Sequence, residues 1–394
     1  VAILNAILGS WGRRGGFYRP ETFSIAEPEH PPFPTPKRSW RTEFPDLYKL
    51  ADTVLANGVC DATVPDPSRH CQFQGWIVNG TNLIETLPNQ ENTLKAIQSL
   101  QLLVVIDTMP MEITGWADVV LPECTYLERY DELRVGPHRK PQIALRMPAT
   151  EPLYNTKPAF WMARELAKRL GVIDYFPFEK IEDQLDWQLK QIGSSLEEMK
   201  KTGVKTFERP YEDLYFAPGE NVEFYTPSGK IELYSLSIEE AGFDPMPKYT
   251  PHEEPPEGYY RLNYGRAPMH TFSRTANNPN LTDLMDENSL WVNPGVAKEW
   301  GLTSGQYIYL ENQDGKRSEF PIKVRVTERI RWDSVYMVHG FGHDQKKLKR
   351  CYGKGASDTN LITKVLVDPI MGGTGMRGNF VTFITDLKSG EARS

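Results

Sequence analysis

The sequence has 394 residues, of which 39% are hydrophobic and 25% are charged, and its formal net charge is −7 at pH 7. This composition is typical of a globular chain, and the length favours two domains over one core. The acidic balance argues against nucleic acid as the main partner, because phosphate binding requires a basic surface. No run of about 18 apolar residues occurs, so no membrane-spanning helix is predicted.

The four cysteines form no CxxC pair: Cys60, Cys71, Cys124 and Cys351. Their spacing predicts structural or surface thiols rather than a zinc site, a redox dithiol or an iron–sulfur cluster. The chain opens on an apolar helical pattern at residues 1–8, with no capping residue and no initiator methionine before it. We therefore expect it to be a fragment of a longer protein.

The first half of the chain has an α/β pattern. Residues 25–37 are proline-rich and predict a surface excursion. Strands are then predicted at 75–78, 102–106 and 117–121, with a helix at 93–100. The runs LLVVI and ADVVL in the last two strands are typical of buried parallel strands. The order strand, helix, strand predicts a doubly wound α/β region.

Two more helical stretches follow, at residues 158–170 and 181–202. The first is amphipathic, and Gly171 is expected to end it in the left-handed conformation. Its predicted apolar face consists of Phe160, Ala163, Leu166, Ala167 and Leu170.

Five prolines between residues 244 and 258 predict a linker, and the character of the chain changes after it. The predicted strands beyond the linker are short and lie at 307–310, 322–326, 335–338 and 380–384, with a hairpin turn at 312–315. We interpret this part as a small all-β barrel. The predicted domains are an α/β region at 1–250, which is part of a larger discontinuous domain, and a β-barrel domain at 251–394.

Two motifs follow the predicted strands of the α/β region. Residues 79–88 (NGTNLIETLP) come after the first strand, and Asp107 closes the second. A glycine after a strand lets phosphates approach the backbone, and an acidic residue at the next strand tip can bind a ribose or a guanine edge. The alternative is that Gly80 and Asn82 only build a turn and that Asp107 caps a loop.

A polar loop at residues 265–279 (GRAPMHTFSRTANNP) combines two arginines with several hydroxyls and amides. It suits an anion with many oxygens, such as a pyrophosphate, and the alternative is a self-capping loop. Residues 372–379 (GGTGMRGN) fit GxGxxG literally, but the following segment reads as a strand, which argues against a Rossmann site.

Other polar groups are weaker candidates. Arg129 lies among Glu123, Glu128, Asp131 and Glu132, a pattern typical of surface ion pairs. The two histidines of VHGFGHD, His339 and His343, have metal-ligand spacing only on a helix, and the intervening glycines argue against one.

Taken in chain order, these segments resemble the molybdopterin-guanine-dinucleotide oxidoreductases of the dimethyl-sulfoxide-reductase family. Four blocks carry the resemblance: residues 79–88, 104–132 and 262–281, and the run from VHGFGHD through GASDTNLI to DP at 369. The wording HTFSRTANNP, HGFGH and TPSGKIELYS is most similar to the thiosulfate and polysulfide reductase catalytic subunits of that family.

The resemblance implies a cofactor and a set of residues that hold it. The cofactor is a molybdenum bound by two molybdopterin guanine dinucleotides, covered by a double-psi β-barrel. Gly80, Asn82, Asp107 and Thr108 are implied at the guanosine end. The residues implied at the pterin or pyrophosphate are Arg129, Arg266, Ala267, His270, Thr271, Phe272, Ser273, Asn360 and Arg377.

The implied reaction is the two-electron reduction of sulfur–sulfur bonds in polysulfide or thiosulfate. Electrons would come from a membrane quinol-binding anchor subunit through an iron–sulfur subunit, at the periplasmic face. No cysteine here matches the family's cluster or molybdenum ligands, so a [4Fe–4S] cluster and the metal ligand are expected in an amino-terminal half of the same subunit. This chain is not expected to be active alone.

Several alternatives stay open. The chain could belong to a respiratory arsenate reductase or a formate dehydrogenase of the same superfamily, or to a non-catalytic scaffold subunit. The scaffold alternative predicts loss of the donors between Arg266 and Arg274, which are present. A nicotinamide dehydrogenase requires GxGxxG between a strand and a helix, and the sequence has none.

Overall fold

The computed structural model describes residues 2–21, 24–31, 50, 58–69, 72–220 and 222–385. Contacts divide the chain into two compact units. The first comprises Val1–Thr35, Pro122–Glu239 and Asp244–Met246, and the second comprises Pro36–Leu121, Glu240–Phe243 and Pro247–Ser394. This division groups the α/β strands with the carboxyl-terminal barrel, whereas the sequence places a boundary at residue 250, which stays a prediction.

The elements below are those of the described residues. The α-helices are α1 (Ala2–Ile7), α2 (Gly58–Asp61), α3 (Leu83–Thr86), α4 (Gln90–Gln98), α5 (Ala159–Leu170), α6 (Ile181–Gln191), α7 (Leu196–Thr202), α8 (Leu236–Glu240), α9 (Pro279–Thr282), α10 (Pro294–Glu299) and α11 (Asp358–Leu361). Short 3₁₀ helices lie at Glu112–Gly115, Ile173–Tyr175 and Tyr211–Leu214. The strands are β1 (Gly75–Asn79), β2 (Leu102–Asp107), β3 (Val119–Pro122), β4 (Arg134–Gly136), β5 (Gln142–Ala144), β6 (Val204–Thr206), β7 (Tyr260–Gly265), β8 (Ser289–Val292), β9 (Tyr307–Asn312), β10 (Ile322–Val326), β11 (Ser334–Val338), β12 (Leu366–Val367), β13 (Thr374–Gly375) and β14 (Phe380–Ile384).

The α/β part of the second unit is a three-stranded sheet in the order β1-β2-β3. β1 and β2 are parallel, with Gly75 opposite Leu102 and Asn79 opposite Ile106, so both predictions are confirmed. The helix between them, α4, begins three residues earlier than predicted, because the Asn89 side chain caps it by accepting from the Asn92 backbone N–H. Alternating residues of β1 pack with α4 and β2 in one apolar cluster.

The third strand corrects the sequence prediction. ADVVL was expected to be buried, but Val119 and Val120 of β3 are 43% and 44% exposed. β3 is an outer strand of its sheet, so an apolar run there does not imply cover on both faces.

The first unit has its own core. Strands β4, β5 and β6 form an antiparallel sheet, and Ile143 on β5 packs with Leu185, Leu189 and Met199 of α6 and α7. The two helices confirm the helical prediction for residues 181–202.

Helix α5 of this unit ends where predicted, at Gly171, whose φ is +73°. Its predicted apolar face is wrong in part. Ala167 is buried together with Met162, whereas Leu166 and Leu170 are 38% and 74% exposed. Apolar residues lie on more than half of the circumference of α5, so periodicity alone does not select the buried face.

Six of the described strands close into a barrel in the order β10-β8-β11-β7-β14-β9. The pairs β10–β8 and β11–β7 are parallel, and the other neighbours are antiparallel. Leu262, Leu290, Ile308, Leu310 and Val335 fill its interior with less than 2% exposure. The predicted all-β barrel is therefore confirmed as a closed barrel, although β8 and α10 were not predicted.

The predicted linker and hairpin turn are also found. Residues 244–258 contain no helix or strand, and Gly315 closes the predicted turn by donating to Asn312 O at 3.0 Å. Cys60, Cys124 and Cys351 are buried free thiols, as predicted. Val1, Cys71 and residues 32–37 of the predicted excursion lie outside the described residues. No helix in the described ranges combines the length and apolar character that a bilayer crossing requires.

Candidate functional site

The carboxyl ends of β1 and β2 bring three predicted site residues together. Gly80 has a φ of +62°, and its N–H donates to Ile106 O at 2.9 Å, directly before Asp107. Asp107 Oδ1 accepts from the backbone N–H of Thr108 at 2.7 Å and of Met109 at 3.3 Å. Asp107 thus caps its own turn, which is the structural alternative given above. The guanosine role of these residues stays a prediction.

Asn82 lies in a buried ionic arrangement that also contains His343. Glu112 Oε2 accepts from Asn82 Nδ2 at 2.6 Å, and Glu112 Oε1 lies 2.8 Å from His343 Nδ1. Burial opposes ionisation of Glu112, but the hydrogen bond and charge of His343 outweigh it, so the pKa of Glu112 is lowered. Burial likewise opposes protonation of His343, yet Glu112 raises its pKa. The pair is therefore ionic.

A second buried carboxylate, Glu85 on α3, has only neutral partners. Ser357 Oγ donates to Glu85 Oε2 at 2.7 Å, and Gln90 Nε2 donates to Oε1 at 3.0 Å. Burial, together with the charge of Glu112, raises the pKa of Glu85 to about 7. Gln90 Oε1 in turn accepts from Asn360 Nδ2 at 3.1 Å. The predicted pterin residue Asn360 is thereby joined to this carboxylate.

A third buried carboxylate, Asp358, holds the other histidine of the HGFGH loop. His339 Nδ1 lies 2.9 Å from Asp358 Oδ1. Burial lowers the pKa of His339, but the hydrogen bond and charge of Asp358 outweigh it, so the net direction is upward. The centroid of the His339 ring lies 6.1 Å from that of Phe272, in an edge-on arrangement, and 6.4 Å from that of Tyr264.

Two predicted arginines border these rings. The Arg266 guanidinium lies 3.9 Å from the centroid of the Phe272 ring, and that of Arg377 lies 5.6 Å from the centroid of Tyr264. Both arginines are exposed and form no ion pair with any described residue. Such cations suit a phosphate-bearing ligand.

The loop after β7 is shaped by local hydrogen bonds. His270 is buried, with Nε2 2.7 Å from Met285 O and Nδ1 3.2 Å from Thr275 Oγ1. The backbone N–H of Thr271 donates to the same Thr275 hydroxyl at 2.8 Å. His270 therefore has both ring nitrogens engaged within the chain, and Ala267 and Ser273 are buried beside it. Their cofactor contacts stay predictions.

Arg129 belongs to the first unit. It lies 2.6 Å from Glu123 and 3.0 Å from Asp131, and it donates to Cys124 O at 2.5 Å. The predicted ion pairing is found, but Glu123 is only 6% exposed, so the cluster is not a surface one. Its pterin role stays a prediction.

The residues that sequence reasoning missed are Glu85, Glu112 and Asp358, together with Gln90. All three acids lie inside motif blocks that were noticed. For Glu85 and Glu112 the available signal was an acid beside apolar residues, whereas Asp358 lies between Ser357 and Thr359 and gave no such signal. No group of three histidine, cysteine or acidic side chains among the described residues is arranged to hold a metal. The nitrogens Nδ1 of His339 and His343 face carboxylates instead.

Parallel strands followed by a closed barrel, with a buried acid–histidine network and two exposed arginines, are an arrangement that suits a large anionic ligand. Residues 58–169 match the Molybdopterin oxidoreductase family, and residues 260–379 match the Molydopterin dinucleotide binding domain. These two segments make up more than half of the chain, and the chain belongs to the molybdopterin oxidoreductases of the dimethyl-sulfoxide-reductase family.

Three curated relatives illustrate the range of that family. The thiosulfate reductase molybdopterin-containing subunit of Salmonella typhimurium is 28% identical over 379 residues, covering 87% of this chain and 49% of the relative. Acetylene hydratase of Syntrophotalea acetylenica is 30% identical over 271 residues, covering 66% and 36%. Dimethyl sulfoxide reductase of Escherichia coli is 26% identical over 372 residues, covering 86% and 44%. The chain thus spans about half or less of each.

A solved structure shares the fold. Acetylene hydratase from Pelobacter acetylenicus superposes with a TM-score of 0.69 at 23% identity, covering 84% of this chain and 46% of that one. At this identity the match concerns architecture alone.

Proposed function

We propose that this chain is the carboxyl-terminal half of a molybdenum oxidoreductase catalytic subunit that reduces sulfur–sulfur bonds in polysulfide or thiosulfate. The observation that carries the proposal is the similarity to a thiosulfate reductase subunit over 87% of the chain. The HTFSRTANNP and HGFGH segments, which suggest that branch of the family, are the ones that meet at the polar network around His339 and Phe272.

The described residues fit a bis(molybdopterin guanine dinucleotide) cofactor. Asn360 Oδ1 is buried without a hydrogen-bond partner among the described residues, so a ligand donor can satisfy it. Arg266 and Arg377 offer exposed cations for the pyrophosphate, and Gly80 and Asp107 lie at the strand ends where nucleotides bind in α/β sheets. The parallel pairs of the barrel support a double-psi topology, and the parallel β1–β2 pair supports a doubly wound sheet.

The protein's own contribution is to bind and orient. When bound, molybdenum supplies two-electron reduction chemistry. Arg266, whose guanidinium lies 3.9 Å from the centroid of Phe272, would bind a phosphate, and Asp358 orients His339 beside the same ring. The buried carboxylates of Glu85, Glu112 and Asp358 keep the surroundings of this ring polar and rigid, and Glu85 can hold a proton near neutral pH. These roles require no cysteine of this chain.

The rest of the assembly follows from the same proposal. An amino-terminal half of the subunit supplies the [4Fe–4S] cluster and the metal ligand. An iron–sulfur subunit and a membrane quinol-binding anchor deliver electrons, and the complex works at the periplasmic face. The Salmonella relative is named as the molybdopterin-containing subunit of its enzyme, which supports a multisubunit assembly.

The test is metal and nucleotide analysis of the intact native complex. Plasma mass spectrometry should find about one molybdenum per catalytic subunit, and acid treatment should release about two guanosine monophosphates, one for each dinucleotide. Finding neither molybdenum nor guanosine nucleotide would reject the cofactor, and the scaffold alternative would replace it.

Substrate assays then separate the reductases. With a reduced dye as electron donor, polysulfide or thiosulfate should oxidise the dye faster than arsenate or dimethyl sulfoxide, and formate should not reduce the oxidised dye. A second candidate is hydration of a carbon–carbon triple bond, favoured by the 30% identity to acetylene hydratase. Consumption of acetylene without dye oxidation would favour that candidate over the reductase.

A further inference from the structure

The side-chain oxygen of Asn360 is the buried polar atom that the network around Glu85 leaves without a partner. Asn360 is 7% exposed, and its Nδ2 donates to Gln90 Oε1 at 3.1 Å. Its Oδ1 has no hydrogen-bond partner among the described residues. Buried amide oxygens of native proteins are nearly always hydrogen-bonded, so this one indicates a missing donor.

The orientation of the Asn360 amide is set by its hydrogen-bond partner, Gln90. Gln90 Nε2 faces two acceptors, Glu85 Oε1 at 3.0 Å and the Ile84 backbone carbonyl at 3.5 Å. The Ile84 carbonyl can only accept, and so can the ionised form of Glu85, which is the form that this orientation requires. Gln90 therefore has to turn its amino group toward them and its oxygen toward Asn360.

The chain of bonds begins at Glu85. Its Oε2 accepts from Ser357 Oγ at 2.7 Å and from Thr359 Oγ1 at 3.3 Å, which leaves Oε1 for Gln90. Because Gln90 presents an oxygen, Asn360 has to donate from Nδ2, and the side-chain oxygen of Asn360 then faces away from Gln90 and Glu85. A flip of the Asn360 amide would place two oxygens against each other.

We infer that Glu85 and Gln90 are positioning residues that orient Asn360 so that its side-chain oxygen accepts a hydrogen bond from an N–H group of the bound pterin. The inference rests on the proposed function, because the pterin belongs to the proposed cofactor. The class of ligand group follows from the polarity: a ring N–H or an exocyclic amino group fits, whereas a carbonyl or phosphate oxygen would meet another acceptor.

The test measures how much cofactor the native complex retains, as molybdenum and released guanosine monophosphate per folded catalytic subunit. Asn360→Leu removes the acceptor, and we expect occupancy or cofactor retention time to fall about tenfold, the effect of one lost hydrogen bond. At a pH well above 7, where both carboxylates are ionised, Gln90→Glu should cause a similar fall, because their repulsion moves residue 90 away from Glu85 and Asn360.

The decisive variant exchanges the two partners. In Glu85→Gln/Gln90→Glu the amide at 85 donates to the carboxylate at 90, which still accepts from Asn360 Nδ2. The polarity at Asn360 is thus restored, and we expect retention within about twofold of the wild type. A role in packing alone predicts no such rescue, because the double variant carries both substitutions.

Asn379→Leu is the matched control. Asn379 is also buried, but both of its amide atoms are satisfied inside the chain, by Lys364, Met376 and Gln313. It should lower the melting temperature and leave cofactor per folded subunit unchanged.

The outcomes are distinct. Full retention in Asn360→Leu, or a double variant as poor as Gln90→Glu, would overturn the orientation role while the proposed function stands. Wild-type complex without molybdenum and guanosine nucleotide would overturn both.

Discussion

Three buried acids of the second unit differ in what compensates their charge. Glu112 is bonded to His343 and Asp358 to His339, whereas Glu85 receives hydrogen bonds from neutral groups only. A buried charge without an opposite charge beside it is costly. This explains why the pKa of Glu112 is lowered and that of Glu85 is raised to about 7.

The raised pKa of Glu85 predicts a pH-dependent effect of Glu85→Gln. A carboxyl whose folded-state pKa lies above its unfolded value of 4.5 loses stability as the pH rises through the interval up to about 7. The uncharged glutamine of the variant has no such loss. The free energy of unfolding of the variant, relative to that of the wild type, should therefore rise by roughly 3 kcal/mol between pH 4.5 and pH 8. Urea unfolding at several pH values measures this.

Glu91→Gln provides the comparison for that titration. Glu91 lies exposed on α4, and its hydrogen bond with Lys95 lowers its pKa, so its variant should lose rather than gain relative stability as the pH rises. A pH-independent difference between Glu85→Gln and the wild type would show that Glu85 titrates normally.

The Glu112–His343 pair predicts strong coupling. Removing one partner by Glu112→Gln leaves the other charge buried, and we expect a loss of about 3 kcal/mol at pH 6. His343→Gln should cost a similar amount, and the double variant clearly less than the sum. The contribution of His343 should be lost as the pH rises through its raised pKa, and that of Glu112 as the pH falls through its lowered pKa.

A double-mutant cycle from urea unfolding measures this coupling. The exposed pair Glu91–Lys95, with a separation of 2.8 Å, is the control and should show far weaker coupling. Strict additivity of the Glu112 and His343 substitutions would mean that the two side chains do not interact in solution.

At the scale of elements, the HGFGH loop is held close to the loop after β7. Gly340 has a φ of +89°, and a Cβ at this position would overlap the backbone carbonyl of Phe272. Phe272 itself adopts a φ of +50°. The two loops therefore approach at a distance that only glycine allows, and this approach brings His339 to the Phe272 ring.

Gly340→Ala tests this close approach against a matched glycine. Gly305 has a nearly equal φ of +93° but no atom near the place of an added Cβ. Gly305→Ala should cost about 1 kcal/mol for the left-handed backbone alone. Gly340→Ala should cost roughly 2 kcal/mol more, because backbone atoms have to move apart. Equal losses in thermal or urea unfolding would mean that the loops are not in contact.

Sequence periodicity could predict many of the elements but not how their loops meet. The strands β1, β2 and β9 to β11 have patterns of apolar residues that depend only on local chain geometry. Glu112 and His343 are 231 positions apart, and Glu85 and Ser357 are 272 apart. Nothing in local periodicity encodes such pairs, so the acids were missed although their motif blocks were noticed.

At the scale of the whole molecule, each unit has its own apolar core, and the second unit contains most of the predicted cofactor residues. The first unit interrupts the second in the chain, because Pro122–Glu239 lies between the α/β strands and the barrel. A discontinuous domain and a boundary at residue 250 were predicted, but the segments that join into one unit depend on contacts between distant parts of the chain. The network of Glu85, Glu112 and Asp358 lies inside the second unit. We therefore expect cofactor binding to stabilise the segments around this network more than the rest of the chain.

Removal of the cofactor therefore predicts local loss of protection against hydrogen exchange. A ligand that binds only the folded state stabilises it, and the groups nearest to the ligand lose most when it is absent. In complex purified from molybdate-starved cells, residues 80–90 and 339–360 should exchange about tenfold faster than in the loaded complex. Ile181–Gln191, in the core of the first unit, should change little. Hydrogen-exchange mass spectrometry on both preparations gives this comparison. Uniform acceleration in all segments would indicate general destabilisation instead of a site at the polar network.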